Sequence, residues 1–199
     1  RFVQLLIGTN KKGKVIEISE VLTGLELDLK TPADLSIEAE PEETGATFQE
    51  NAIQKVKHFH GLGGMPTISE DSGIIVDAIE NELGLHTRRW GAGRSASDED
   101  WIEYFLKRMK NESNKKAAFM CHLAYLDPNG DLHLFEGECK GVITEELEAD
   151  YLPGLPISGC FRPEGFDNVF SALNLEQKNS TSHRGRATQK LRFHLESSM

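Results

Sequence analysis

The chain has 199 residues, 38% of them apolar, and carries 32 acidic against 22 basic side chains for a formal net charge of −10. That length suits one large domain or one domain of two lobes, and the acidic balance argues against sequence-independent binding to a nucleic-acid polymer, which needs a broad cationic face. No apolar run approaches the ~20 residues of a membrane span and no secretory leader is visible. The three cysteines (Cys121, Cys139, Cys160) form no C-x-x-C pair, so a reduced, cytoplasmic setting without a disulfide framework or a zinc site is expected.

Residues 2–7 read as a buried strand, 8–13 as a turn, and a helix follows from about Lys14. Residues 41–45 form a turn, and Thr47-Phe-Gln-Glu50 is a capping box opening a helix to about His60, ended by residues 61–65. Residues 67–69 and 74–76 read as short strands on either side of a tight turn, Glu70-Asp71-Ser72-Gly73. Ser97 caps a helix whose apolar face is Trp101, Ile102, Phe105, Leu106 and Met109. Residues 118–126 and 132–136 flank Asp127-Pro-Asn-Gly130, a hairpin signal; Val142-Ile143 continues the β region, and Ala187, Leu191 and Leu195 have helical spacing. Strands mixed with helices, plus a hairpin, predict an α/β chain with a mixed sheet.

Four segments can carry chemistry. The first, Gly8-Thr9-Asn10-Lys11-Lys12-Gly13-Lys14, follows a strand and opens a helix. Backbone N–H groups there, with Lys11, Lys12 and Lys14 beside them, make either a phosphate cradle or a solvated basic turn with a Lys14–Glu17 pair. The spacing also meets G-x-x-x-x-G-K of a P-loop, but Val15 stands where that loop needs a hydroxyl for its magnesium. The second, Glu40, Glu42 and Glu43, either favours the following helix dipole or supplies a hard-metal ligand. The third, Ser69–Gly73 with Glu70, Asp71 and Ser72, is either an ordinary turn or a pair of carboxylates able to hold a metal and deprotonate water. The fourth gathers Lys178, His183, Arg184 and Arg186 near a helix start, with Arg88, Arg89 and Arg94 adding a cationic stretch near Trp90; phosphate or base pairing competes there with surface solvation or a local cap. The other histidines show no ligand spacing.

In this order and spacing the segments resemble the inosine triphosphate pyrophosphatase family (XTP/dITP diphosphatases) over nearly the whole chain. The motifs are Thr9-Asn-Lys-Lys-Gly-Lys-Val-Ile-Glu17, Glu43-Thr-Gly-Ala-Thr-Phe-Gln-Glu-Asn-Ala52, Glu70-Asp-Ser-Gly-Ile-Ile-Val-Asp-Ala78, Gly141-Val-Ile-Thr144, Phe161-Arg-Pro-Glu-Gly165 and Ser182-His-Arg-Gly185. The resemblance implies a single domain over 1–199, an elongated mixed β-sheet flanked by helices with two lobes around a central cleft, and a homodimer. It also implies hydrolysis of ITP, dITP and XTP to the monophosphate and pyrophosphate with Mg²⁺, cleansing the nucleotide pool. Carried over, Thr9, Asn10, Lys11, Lys12, Gly13 and Lys14 hold the triphosphate, with Lys14 the main counter-charge. Glu43 and Asp71 hold Mg²⁺, with Glu17 and Glu70 ranked behind them, and Asp71 is the base for the attacking water. Ser72 touches substrate, and Lys178, His183 and Arg184 line the nucleotide pocket.

The chain departs from that pattern twice. The family loop is usually T-x-N-x-x-K, whereas Lys11 takes the Asn position and Asn10 stands one place earlier. The segment Gly154-Leu155-Pro156-Ile157-Ser158-Gly-Cys-Phe161 replaces the usual G-F-G-Y-D-P-x-F, so Leu155 and Ser158 occupy the places of an aromatic and an acid that help recognise the base. Losing a stacking face or an acceptor relaxes or redirects purine choice. The alternatives kept open are therefore a pyrophosphatase for a different or modified nucleotide, a non-catalytic nucleotide-binding relative, and a P-loop NTPase.

Overall fold

The apolar alternation of the sequence becomes a six-stranded mixed sheet in the computed structural model, which describes residues 2–83 and 95–199. In chain order the strands are β1 (Val3–Ile7), β2 (Leu27–Lys30), β3 (Thr67–Val76), β4 (Lys116–Leu126), β5 (Leu132–Ile143) and β6 (Phe161–Pro163). Their order across the sheet is β2-β1-β3-β4-β5-β6. β1 runs parallel to β2 and to β3, with Val3 opposite Leu27 and Leu6 opposite Thr67, while β5 and β6 are antiparallel. The helices are α1 (Lys12–Val21), α2 (Phe48–Gly63), α3 (Glu80–Leu83), α4 (Asp98–Met109), α5 (Leu175–Thr181) and α6 (His183–Ser198).

The chain divides into two compact units, one formed by Arg1–Ser72, Cys121–Glu138 and Ser182–Met199, the other by Gly73–Met120 and Cys139–Thr181. In the first unit, the two-residue period of the strands sorts side chains onto opposite faces. Leu5, Ile7, Ile68, Cys121, Leu123 and Tyr125 pack with Ile18 of α1 and with Ala187, Leu191 and Leu195 of α6. Ala124 and Leu126 point the other way and meet Ala52 and Val56 of α2. In the second unit the apolar face of α4 (Trp101, Ile102, Phe105, Met109) packs with Ile74, Val76, Ala117, Cys139 and Phe161. Phe119 sits edge-on to Phe161 with ring centroids 4.8 Å apart.

Helix ends follow their capping residues. The Thr47 hydroxyl accepts the Glu50 N–H, and the Glu50 carboxylate accepts the Ala46 N–H, so the capping box reaches one residue further back than its simplest form. α2 runs three residues past His60, because Gly64 takes the left-handed φ of 66° that ends it. Ser97 and Ser182 cap α4 and α6 in the same way.

The expected turn at Glu70–Gly73 is absent: β3 is one continuous strand of 10 residues. Turn-forming side chains are overridden there because Ser69, Glu70 and Asp71 are all buried with polar partners, so the ladder is kept and the acids are carried on it. β2, β6 and α5 were not predicted from the sequence. Arg88, Arg89, Arg94 and Trp90 lie outside the described residues.

All three cysteines are buried, and none is in a disulfide. Burial pushes the Cys160 thiol up to about 12, with Glu148 adding to it, and burial with Glu70 beside it pushes the Cys121 thiol well up. We expect a thiol-specific disulfide reagent at pH 8 to modify none of the three rapidly in the folded protein and all three in denaturant. Rapid modification of Cys121 or Cys160 under native conditions would contradict their burial.

Candidate active site

Adjacent residues of β3 point to opposite faces, and in the first unit this gives Glu70 and Asp71 separate sets of partners. Glu70 faces α1 and α6. Its Oε1 meets the Lys14 ammonium at 2.6 Å and Arg184 Nε at 3.3 Å. Arg184 is itself paired with Glu17 and donates to the Ser72 hydroxyl at 3.1 Å. Burial alone would push the Glu70 carboxyl up, but Lys14, Arg184 and Lys55 outweigh it and hold it well below the usual carboxylate range. Burial likewise opposes the charge on Arg184, and Glu70 and Glu17 reverse that, raising its pKa. The Lys14–Glu17 pair entertained from the sequence does not form: Lys14 goes to Glu70, and Glu17 to Arg184.

Asp71 faces α2. Asn51 donates to its Oδ2 at 3.1 Å, and the Lys55 ammonium lies 3.5 Å from its Oδ1. The same ammonium is 2.5 Å from Glu43, so one cation spans the two carboxylates. Against the cost of burial, Lys55, Lys11 and Lys14 lower the Glu43 pKa, and Asp71 and Glu43 raise that of Lys55. The loop carrying Glu43 is pinned along its length. Asn10 donates to Glu40 at 2.7 Å, His58 Nε2 bonds the Ala39 carbonyl oxygen at 2.8 Å, Thr44 N–H donates to Gln54 at 2.9 Å, and Gly45 N–H donates to Asn51 at 2.7 Å. Lys14, burial and Lys55 lower the Lys11 pKa, which places a third ammonium near this group.

The structure thus brings Lys11, Lys14, Glu43, Asp71, Ser72 and Arg184 into one unit. The Thr9 hydroxyl accepts the Lys11 N–H at 3.2 Å and the Lys14 N–H donates to the Lys11 carbonyl oxygen at 3.1 Å, while no side chain caps α1, so the Lys12 and Gly13 N–H groups at that helix start are left for an anion. Lys12 and Gly13 are exposed at the same helix start, and His183 is the buried first residue of α6. The remaining candidates stand in the second unit. Leu155 is exposed, Pro156, Ile157 and Ser158 form a buried 3-10 turn, and the Lys178 ammonium lies 6.0 Å from the Phe170 ring centre. Arg186 donates to the Glu138 carbonyl at 2.8 Å.

Sequence reasoning gave no role to Asn51 and Lys55. Their signal is present: they lie four residues apart on α2, so they share a face, and the capping box fixes that helix directly behind Glu43. Gly137 was missed as well. A Cβ there would lie 2.0 Å from the His183 carbonyl oxygen and 2.7 Å from the Ala187 nitrogen. Gly137→Ala therefore forces the first turn of α6, and Arg184 with it, away from β5. We expect a loss of about 1–3 kcal/mol in a denaturant titration, with substrate affinity falling alongside; wild-type stability would show that α6 yields freely.

Glu43 and Asp71 suit a hard cation. Both offer carboxylate oxygens to a single positive centre, the Lys55 ammonium, so the pair is already arranged around a cation. Among the described residues no group of three or more His, Cys, Asp or Glu side chains forms a complete metal site. That donor set matches Mg²⁺, which takes one or two carboxylates and fills its shell with water and phosphate oxygens.

Comparison with known proteins gives a consistent result. Residues 5–194 match the profile of the Ham1 family. A protein of Leptospira interrogans named dITP/XTP pyrophosphatase is 39% identical over 188 residues, covering 94% of each chain. A Geobacter sulfurreducens protein of the same name is 34% identical over 203 residues, covering 96% of each. Among solved structures, the Staphylococcus aureus Ham1 protein matches with a TM-score of 0.84 at 28% identity, over 98% of this chain and all (100%) of that one. A HAM1 protein from Coxiella burnetii matches with a TM-score of 0.85 at 28% identity and the same coverage.

Proposed function

We propose that this chain, which belongs to the Ham1 family, hydrolyses the triphosphates of deaminated purines (ITP, dITP, XTP) to the monophosphate and pyrophosphate with Mg²⁺. The observation that carries the reading is the gathering, in one unit, of Lys11, Lys14, Lys55 and Arg184 around carboxylates aligned by a single strand. A triphosphate brings about four negative charges, and hydrolysis needs them neutralised while water is aimed at phosphorus.

In this reading Lys14, Lys11 and the open N-terminus of α1 grip the polyphosphate. Glu43 and Asp71 hold Mg²⁺, which when bound polarises a phosphoryl oxygen. Asp71, its carboxylate oriented by Asn51, orients an attacking water and takes its proton. The water oxygen bonds to the α-phosphorus as the bond to the bridging oxygen breaks, and pyrophosphate leaves with that electron pair. Arg184, held by Glu17, Glu70 and Ser72, presents a fixed guanidinium edge. Lys55 bridges Glu43 and Asp71 and holds the two carboxylates together.

A second reading, a different or modified base, is favoured by the second unit. The Ser158 hydroxyl turns to its own turn, donating to the Leu155 carbonyl at 2.6 Å, and Leu155 offers no aromatic face. A homodimer in the cytoplasm belongs to the same proposal; buried cysteines outside any disulfide suit a reducing compartment, and light scattering tests the dimer. Among the described residues no helix is long and apolar enough to cross a membrane.

The experiment is incubation of the chain and Mg²⁺ with ITP, dITP, XTP, the ordinary nucleoside triphosphates and modified analogues, with the products identified. Monophosphate plus pyrophosphate is expected. A diphosphate plus orthophosphate overturns the reading in favour of a P-loop-type reaction, and tight binding without turnover favours a non-catalytic relative. The best substrate decides between the two base readings.

A further inference from the structure

Cys121 has no part in the reaction described above, yet it stands at the centre of the first unit. It lies on β4 beside β3 and is fully excluded from solvent. Its Sγ is 3.5 Å from Glu70 Oε2, while the other oxygen of that carboxylate takes both Lys14 and Arg184. Among the described residues it is the one donor on Oε2. Each oxygen of an ionised carboxylate can accept two hydrogen bonds, and one left bare in the interior is costly and free to rotate toward other donors.

The thiol must keep its proton to act as a donor. Burial and the neighbouring Glu70 both push its pKa well up, so the proton stays on sulfur, and the group is no thiolate nucleophile. Cys160 gives an internal contrast, since its thiol lies 3.4 Å from a neutral acceptor, the Ile157 carbonyl.

We propose that Cys121 is a positioning residue: its thiol donates to Glu70 Oε2 and so locks the carboxylate in the one rotation that offers Oε1 to Lys14 and Arg184 together. The two cations that would meet the triphosphate are then spaced by a carboxylate whose own orientation is set from behind. The effect on substrate rests on the proposed function; the hydrogen bond itself does not.

Two measurements test it on the whole chain. The first is the infrared S–H stretch of the free protein, with the Cys121 band isolated by subtracting the spectrum of Cys121→Ala or Cys121→Ser. A carboxylate is a stronger acceptor than a carbonyl, so the Cys121 band is expected at lower frequency than that of Cys160; a band at or above it overturns the proposal. The second is kinetics with the best nucleoside triphosphate. Cys121→Ala should raise KM about tenfold with kcat within about twofold, and Cys121→Ser, which keeps a donor, should restore KM to within about twofold. An unchanged KM in Cys121→Ala, or equal damage in Cys121→Ser, shows that Cys121 only fills space. If the wild-type chain releases no pyrophosphate, the proposed function falls and the infrared band alone decides the role of the thiol.

Discussion

Asp71→Asn is expected to cut turnover by about 10³-fold or more while leaving the melting temperature within a few degrees of wild type. The substitution keeps a carbonyl oxygen for Asn51 to donate to, and Glu43 still holds Lys55, so little packing changes. What disappears is a negative oxygen able to accept a proton, and removing a general base typically costs 10²–10⁴-fold, before any loss of metal affinity is added. Pyrophosphate release at saturating substrate, measured beside a thermal melt, separates chemistry from folding. Turnover within tenfold of wild type would remove Asp71 from the role of base and leave it a binding group.

The second large effect is on stability. Glu70→Ala should lower unfolding free energy by about 3–5 kcal/mol, because it strips a buried carboxylate from two cations and leaves Lys14 without its ion-pair partner. For a chain of this size that is a fall on the order of 10 °C in melting temperature. Activity should vanish too, since the Lys14 and Arg184 groups lose their common anchor. The pH dependence has a definite sign. The folded-state pKa of Glu70 lies below its unfolded value, so its contribution is complete above the ordinary carboxylate range and is lost as pH falls through the depressed folded value. The gap between wild type and Glu70→Ala should therefore be wide at neutral pH and close in acid. A loss under about 1 kcal/mol at pH 7 would mean that the network is solvated in the manner of surface pairs.

Much of this architecture was legible in the residues themselves. The strand at residues 2–7, the Thr47–Glu50 box, the Ser97 cap and the 127–130 hairpin are local codes, and local codes survive folding. Glu70–Gly73 was misread because Asp, Ser and Gly are turn formers when solvent is their only partner. Here Lys14, Lys55, Asn51 and Arg184 arrive from α1, α2 and α6, and no rule confined to residues 70–73 brings them there. The same reason hid Lys55 and Cys121, whose importance lies in what they touch across 12 residues or more of chain. β2 was missed because its four residues are only half-buried and alternate weakly, so parallel pairing with β1 decides their state.

That Glu70 and Asp71 share one uninterrupted strand bears on how such a protein can change over time. A loop tolerates an inserted or deleted codon by bulging; a strand passes the error on, turning every later side chain to the opposite face. A one-residue insertion between Ser69 and Glu70 would hand the acid meant for α2 to α1 and α6, and the reverse, wrecking both cation sets at once. The exposed tip at residues 128–131 has no such bookkeeping to upset. Natural length variation should therefore collect at that tip and spare the few codons from Ser69 onward, where only substitution is open to selection.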